Sequence, residues 1–180
     1  SALAGERSGL KVRLSGALLK FAFEGGMSMR PTLKIDGTLT ADSTSLRDTL
    51  RWAGQKPLPG GGFGRFALKA KTSVASGTIA LSSVNIELDG NAAEGALTFA
   101  TDGRKTLQGT LAADDLDLTP YVSTARLVTA NDRDWSELPI VLDGLAGFDL
   151  DLRLSAAKIA IARAKLGKTA VTVNLRSGKL

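Results

Sequence analysis

The chain has 180 residues, 43% of them hydrophobic, with 23 Lys and Arg against 18 Asp and Glu for a formal charge of +5. That is enough for one ordinary domain or two small ones with a real core. It contains no Cys and no His, which excludes thiol nucleophiles, structural zinc, Ser-His-Asp catalysis and His-centred acid–base chemistry. The basic residues are scattered from Arg7 to Lys179 with acids between them and no stripe of exposed aromatics, so no nucleic-acid partner is expected.

Taken in chain order, step-two alternation recurs far more often than helical spacing. Leu10, Val12 and Leu14 alternate with Lys11 and Arg13, and Leu33, Ile35, Gly37 and Leu39 alternate with Lys34, Asp36 and Thr38. From Ser43 to Ala53 the period changes: Leu46, Leu50 and Ala53 recur at helical spacing, Ser45 with Asp48 resembles a capping box, and Gly54 follows as a stop. A short amphipathic helix is predicted there. The stretches "KPLPGGGFG" (56–64) and "TANDRDWSELP" (129–139) read as loops, the first as a flexible connection.

Alternation resumes with Phe66, Leu68, Ala70, Thr72 and Val74, then Ile79 and Leu81, then Val84, Ile86 and Leu88. It continues with Leu97 and Phe99, with Leu107, Gly109 and Leu111, with Phe148, Leu150, Leu152 and Leu154, with Ile159 and Ile161, and with Val171, Val173 and Leu175. About ten strands are expected. Turn signals at Gly25-Gly26, Asp89-Gly90-Asn91, Asp102-Gly103, Gly167 and Ser177-Gly178 imply sequential hairpins. In "DLTPYVSTARL", Thr119 as N-cap and Pro120 at the first helical position predict a turn or two of helix over 120–126.

The two segments "FALKAKTSVASGTIAL" and "FDLDLRLSAAKIAI" echo one another at a spacing of roughly 80 residues, each an alternating strand, a small-residue link and a second strand. Repeat units over 33–122 and 140–180 are therefore entertained within a single domain spanning 1–180. Two short helices cannot cover about ten strands, and the facing side chains are medium aliphatics, with only six Phe, two Trp and one Tyr in the chain. The fold expected is mainly β: a curved antiparallel meander forming an open groove or half-barrel, with two short helices. A greasy, unfilled interior suggests an acyl-chain ligand. No apolar run reaches the length of a membrane span, and the opening "SALAGERSG" reads as the edge of an excised piece of a longer protein.

The acid cluster in "LAADDLDLTPYV" invites a metal or a carboxylate pair. Unbroken alternation sends Asp115 and Asp117 to one face and Asp114, Leu116 and Leu118 to the other. The calcium-loop pattern is missing and the sugar-stacking aromatics are few, so a wet strand face leading into a helix is expected. Asp149 and Asp151 read the same way. "GGGFG" lacks the Lys-Ser or Lys-Thr of a phosphate loop, and Trp135 reads as a packing anchor. No catalytic, metal or cofactor-binding residue is assigned.

The succession "TLAADDLDLTPYV" (110–122), "DWSELPIVLDGLAGFDLDLRLSAAKIAIARAKLG" (134–167) and "VTVNLRSGKL" (171–180), preceded by "SSVNIELDGNAAEGALTF" (82–99), resembles the C-terminal region of AsmA-family proteins of Gram-negative envelopes. The resemblance implies the periplasmic segment of an inner-membrane-anchored protein, held to the membrane by a segment outside this chain. It implies a repeating β-groove similar to that of bridge-like lipid-transfer proteins. The function implied is non-enzymatic: phospholipid transport between inner and outer membranes and support of outer-membrane biogenesis. The positions it would place against acyl chains are Phe66, Leu68, Ile79, Leu81, Val84, Ile86, Leu88, Leu97, Phe99, Leu107, Leu111, Leu150, Leu152, Leu154, Ile159, Ile161, Val171 and Val173. The alternative reading is a structural or assembly module that binds an envelope protein. Exposed strand edges favour edge-to-edge dimers.

Overall fold

The computed structural model describes residues 8–29, 32–54, 60–123 and 148–176. The predictions for Trp135, for the loop at 129–139, for the turn at Ser177-Gly178 and for 124–126 lie outside them. The described strands are β1 (Ser8–Ser15), β2 (Leu19–Ser28), β3 (Lys34–Ser43), β4 (Phe66–Ala75), β5 (Thr78–Leu88), β6 (Asn91–Ala100), β7 (Lys105–Asp117), β8 (Phe148–Ile161), β9 (Ala164–Leu166) and β10 (Thr169–Leu175). They form one sheet in the order β1-β2-β3-β4-β5-β6-β7-β8-β10, with β9 beside β8. β1 and β10 are its two edges, so the sheet is not closed.

The expected meander holds from β1 to β7, where every neighbouring pair is antiparallel. Two of its hairpins turn on residue pairs with positive φ, Ser76-Gly77 (46° and 70°) and Asp89-Gly90 (53° and 83°). That backbone twist matches the flanking strands and favours Gly at the second place. The meander then breaks: β7 and β8 are parallel, Lys105 beside Phe148 and Asp117 beside Ala160. The chain has to return the length of the strand between them, which a two-residue turn cannot do.

Ten strands are found among the described residues, but their composition differs from the expectation. The segments around Ile79 and Val84 are one strand, β5, and those around Leu150 and Ile159 are one strand, β8, while β2 and β9 had not been predicted. The echo between the Phe66 and Phe148 segments thus covers a hairpin in one case and a single strand in the other. Gly25-Gly26 is not a turn; it lies inside β2, opposite Gly37 and Asp36 of β3.

One α-helix is described, α1 (Leu46–Trp52), and its cap is the one read from sequence: the Ser45 side chain accepts from the Asp48 N–H. Where the second helix is expected, the described residues show a 3₁₀ turn, Thr119–Tyr121, without a side-chain cap, followed by helical Val122 and Ser123. Its proposed cap, Thr119, is engaged elsewhere, its Oγ1 accepting from the Ala162 N–H at 3.0 Å. Pro120 still opens the turn, since its fixed φ suits a helical start and its missing N–H costs nothing there.

Candidate functional site

Cross-strand partners share a face, so the ladders can be followed as rows across the whole sheet. One row joins Val12, Phe23, Leu39 and Ala70, crosses to Val84, and continues through Gly95, Leu111, Leu154 and Val171. A second joins Leu10, Gly25, Gly37, Thr72, Leu81, Leu97, Gly109, Leu152 and Val173. A third runs from Met27 through Ile35, Val74, Ile79, Phe99, Leu107 and Leu150 to Leu175. Towards α1, Leu68 meets Ile86 and Phe66 meets Leu88. These rows make one continuous apolar face, and the residues implied by the family resemblance on β4 to β8 and β10 fall on it.

Two local irregularities keep that face apolar. In β5 the apolar positions pass from odd (Ile79, Leu81) to even (Val84, Ile86, Leu88), and a bulge at Ser82-Ser83 absorbs the change, with Ser83 at φ 48°. The extra residue restores the pleat so that Val84 points inward, where it is wholly buried. In β7 and β8 the inward parity changes at the same level on both strands. Ala113 pairs with Ala156 and Leu116 with Ile159 at an unchanged register, and Asp114, Asp115, Ala157 and Lys158 between them are exposed. Ile159 and Ile161 therefore join Leu116, Ala113, Ala156 and Leu154 in one core cluster.

Glycines mark where neighbouring strands approach most closely on the apolar face. A Cβ placed on Gly25 would overlap the Asp36 carbonyl, and one on Gly37 would lie 2.5 Å from Glu24 O and 2.6 Å from Phe23 Cζ. One on Gly109 would meet Leu97 Cδ2 at 2.7 Å. Neighbouring backbones come this close only where no Cβ stands between them, and glycine is the residue that permits it. Central side chains of this face are shielded: Ala70 is 1% exposed, and Phe23 and Thr72 are 8% exposed. At the edges the same rows open to solvent, with Val12, Leu14, Leu166 and Val171 exposed.

At one end of the apolar face, α1 is bonded to the described loop residues Gly61 to Gly64. The Leu46 and Arg47 N–H groups donate to Gly64 O and Phe63 O, and Thr49 Oγ1 donates to Ser45 O and lies 2.8 Å from Ser43 Oγ. Asp89 organises this end. Its Oδ2 accepts from Phe63 N–H at 2.8 Å and from Tyr121 Oη at 2.6 Å, and its Oδ1 accepts from Gly64 N–H at 2.8 Å. Tyr121 packs edge-on against Phe63 at 5.4 Å, and the Arg47 guanidinium sits over that ring while donating to Gly62 O. The "GGGFG" stretch is thus anchored over Gly61 to Gly64, not a free connection. Sequence reasoning missed this group; an aspartate before glycine signalled only a turn.

Beside α1 lies an apolar cavity of about 270 Å³ lined by Leu14, Leu18, Leu19 and Trp52 with Gly16 and Ala17. A larger depression of about 520 Å³ lies on the opposite, polar face. Its floor is made by Ala67, Ala92 and Ala112, and its rim includes Asp42, Glu87, Glu94, Asp114 and Lys69. Among the described residues no three acidic side chains converge as a metal site. The acid cluster divides its roles: Asp115 lies 3.7 Å from Lys158, while the Asp117 carboxylate accepts from Thr119 N–H at 2.9 Å. Hydrogen bonding to Thr119 holds the Asp117 carboxyl below the ordinary carboxylate value. Asp149 accepts from Arg104 at 2.8 Å, tying the start of β8 to β7. No family model, curated protein or solved structure matches the chain.

Proposed function

We propose that this chain is a non-enzymatic β-groove segment that shields phospholipid acyl chains during transport between the inner and outer membranes. The observation that carries the reading is the unbroken apolar inner face, running from Val12 on one edge strand to Val171 on the other. Burying hydrocarbon gains about 0.8 kcal/mol per methylene and has no directional requirement, so a chain held there can slide without breaking specific bonds. Headgroups would stay at the open edges, near Lys11, Arg13 and Lys168. The resemblance of residues 82–99, 110–122, 134–167 and 171–180 to the AsmA family supports a periplasmic setting and a role in outer-membrane biogenesis, with the membrane anchor supplied from outside this chain.

The test is lipid extraction and mass spectrometry of the purified protein, with photo-crosslinking by a phospholipid carrying a diazirine in its acyl chain. Labelled peptides are expected to carry Leu81, Leu97 and Leu152, and Leu152→Glu should reduce bound lipid while Glu94→Lys on the other face should not. Absence of lipid, or labelling confined to the Lys69 and Glu94 face, overturns the reading. It would leave the assembly-module reading, in which the edges or the inner face take an envelope protein.

A further inference from the structure

We infer that the β10 edge takes β1 of a second copy of this chain, antiparallel and head to tail, with Val12 of one copy opposite Val171 of the next. Three observations converge on it. The first is direction. Nine strands make up the main path, and strict alternation would leave the two edge strands parallel to each other. The single parallel step between β7 and β8 reverses this, so β1 and β10 run in opposite directions. A second copy placed in the same orientation can therefore continue the sheet with the antiparallel pairing used in most of it.

The second observation is register. The row that begins at Val12 ends at Val171, and the row that begins at Leu10 ends at Val173. Continuing both rows across the joint sets Val12 against Val171 and Leu10 against Val173, and on the other face Lys11 against Thr172. Val12 is 43% exposed and Val171 is 44% exposed, and each would cover the other. The inner faces of the two copies then form one surface.

The third observation is what guards each edge. Between Thr169 and Leu175, β10 carries no charge and no proline, the usual devices that keep an edge strand from pairing. β1 does carry cations on its outer face, Lys11 and Arg13. A symmetric β1–β1 joint about Val12 would set Lys11 against Arg13, a like-charge pair that disfavours it. The β10 edge presents no such obstacle to β1. The joint is heterologous, so it leaves a free edge at each end and does not stop at two copies. It does not depend on what the inner face carries.

The test is sedimentation velocity and light scattering over a range of concentrations, using Val12→Lys and Val171→Lys. The wild-type mass should rise with concentration beyond that of a dimer. Each variant alone should be monomeric with an unchanged circular dichroism spectrum, since both positions are partly exposed on edge strands. A mixture of the two should form a one-to-one dimer and nothing larger, because each supplies the edge that the other lacks. The chain has no cysteine, so Val12→Cys and Val171→Cys give a second readout that needs no charge. Their oxidised mixture should yield the mixed disulfide in preference to either homodimer. A wild type that stays monomeric, a Val12→Lys variant that associates like wild type, or a mixture dominated by Val171→Cys homodimer would each overturn the joint.

Discussion

Tyr121 Oη donates to Asp89 Oδ2 across 2.6 Å, and that bond joins the turn between β5 and β6 to the 3₁₀ turn after β7. The same carboxylate holds the Phe63 and Gly64 N–H groups, so one side chain fixes three separate pieces of chain. Asp89→Ala leaves all three donors without that acceptor and should cost about 1–3 kcal/mol, whereas Tyr121→Phe removes one bond and should cost about 1 kcal/mol. Urea unfolding measures both. Hydrogen exchange at Phe63 and Gly64 should accelerate strongly in the first variant and little in the second.

Tyr121 is the one tyrosine in the chain, so its ionisation can be followed by near-ultraviolet absorbance without interference. Burial and the adjoining Asp89 carboxylate both disfavour the phenolate and push its pKa well above the ordinary 10.0. A raised value in the folded state means the contribution to stability is complete below pH 10 and is lost as pH rises through the folded value. Folded protein should therefore show no tyrosinate at the pH where a urea-unfolded sample already does. Asp89→Asn should bring the folded transition down, and a transition at the unfolded value in wild type would contradict the geometry.

Gly37→Ala and Gly26→Ala are a matched pair on the neighbouring strands β3 and β2. At Gly37 a methyl group meets the Glu24 carbonyl and the Phe23 ring, while at Gly26 the nearest atom is 3.8 Å away. Overpacking at the first should cost about 1–3 kcal/mol, and the second should fall within about 0.5 kcal/mol of wild type. Thermal or denaturant unfolding of the two variants decides it. Equal effects would mean that the strands do not approach closely at Gly37.

The glycines also explain what the sequence concealed. Gly25-Gly26 reads as a turn by composition, yet glycine serves two needs, positive φ and close backbone approach, and here the second applies. That ambiguity hid the end of β2, where Phe21 and Phe23 alternate with Lys20, Ala22 and Glu24 and the glycines continue the strand. The bulge in β5 is legible as a break in the even step from Leu81 to Val84, but alternation alone does not tell a bulge from a gap between two strands. In β8 "SAAK" looked like a link because small residues cannot signal which way they point. The helix cap at Ser45 was legible because its partner is three residues away. The Asp89 group was not, because its partners lie 25 to 32 residues away in the chain. The parallel step carried one signal, the length of chain between Asp117 and Phe148.

Asp117 gives a second pH dependence, of opposite sign to that of Tyr121. Its carboxyl is held below the ordinary value of 3.8 by hydrogen bonding to Thr119, so its contribution is present above the unfolded value and fades as pH falls through the folded one. Asp117→Asn should flatten the stability–pH curve on the acid side and leave it unchanged near neutrality apart from a constant offset. A curve that still falls with the wild-type slope below pH 3.8 would assign that acid loss to other carboxylates.

Thr72 lies on the inner face, 8% exposed, in the row between Gly37 and Leu81. Its Oγ1 is buried without a hydrogen-bond partner among the described residues. A hydroxyl so placed has lost its water and gained nothing, a cost of about 1–3 kcal/mol on mutational scales. Thr72→Val keeps the shape and removes that cost, so it should raise stability by up to about 1 kcal/mol, once the extra methyl's packing against Leu81 is included. The same change makes the inner face uniformly apolar at its middle. If acyl chains lie along that row, bound lipid should be retained or increased, whereas Thr72→Asp should both destabilise the fold and expel lipid. Stability measured by urea titration and lipid measured by extraction separate the two effects. A Thr72→Val variant that is more stable yet empty would mean that the hydroxyl had been meeting a ligand's polar group, and that the occupant of the apolar face is not hydrocarbon alone.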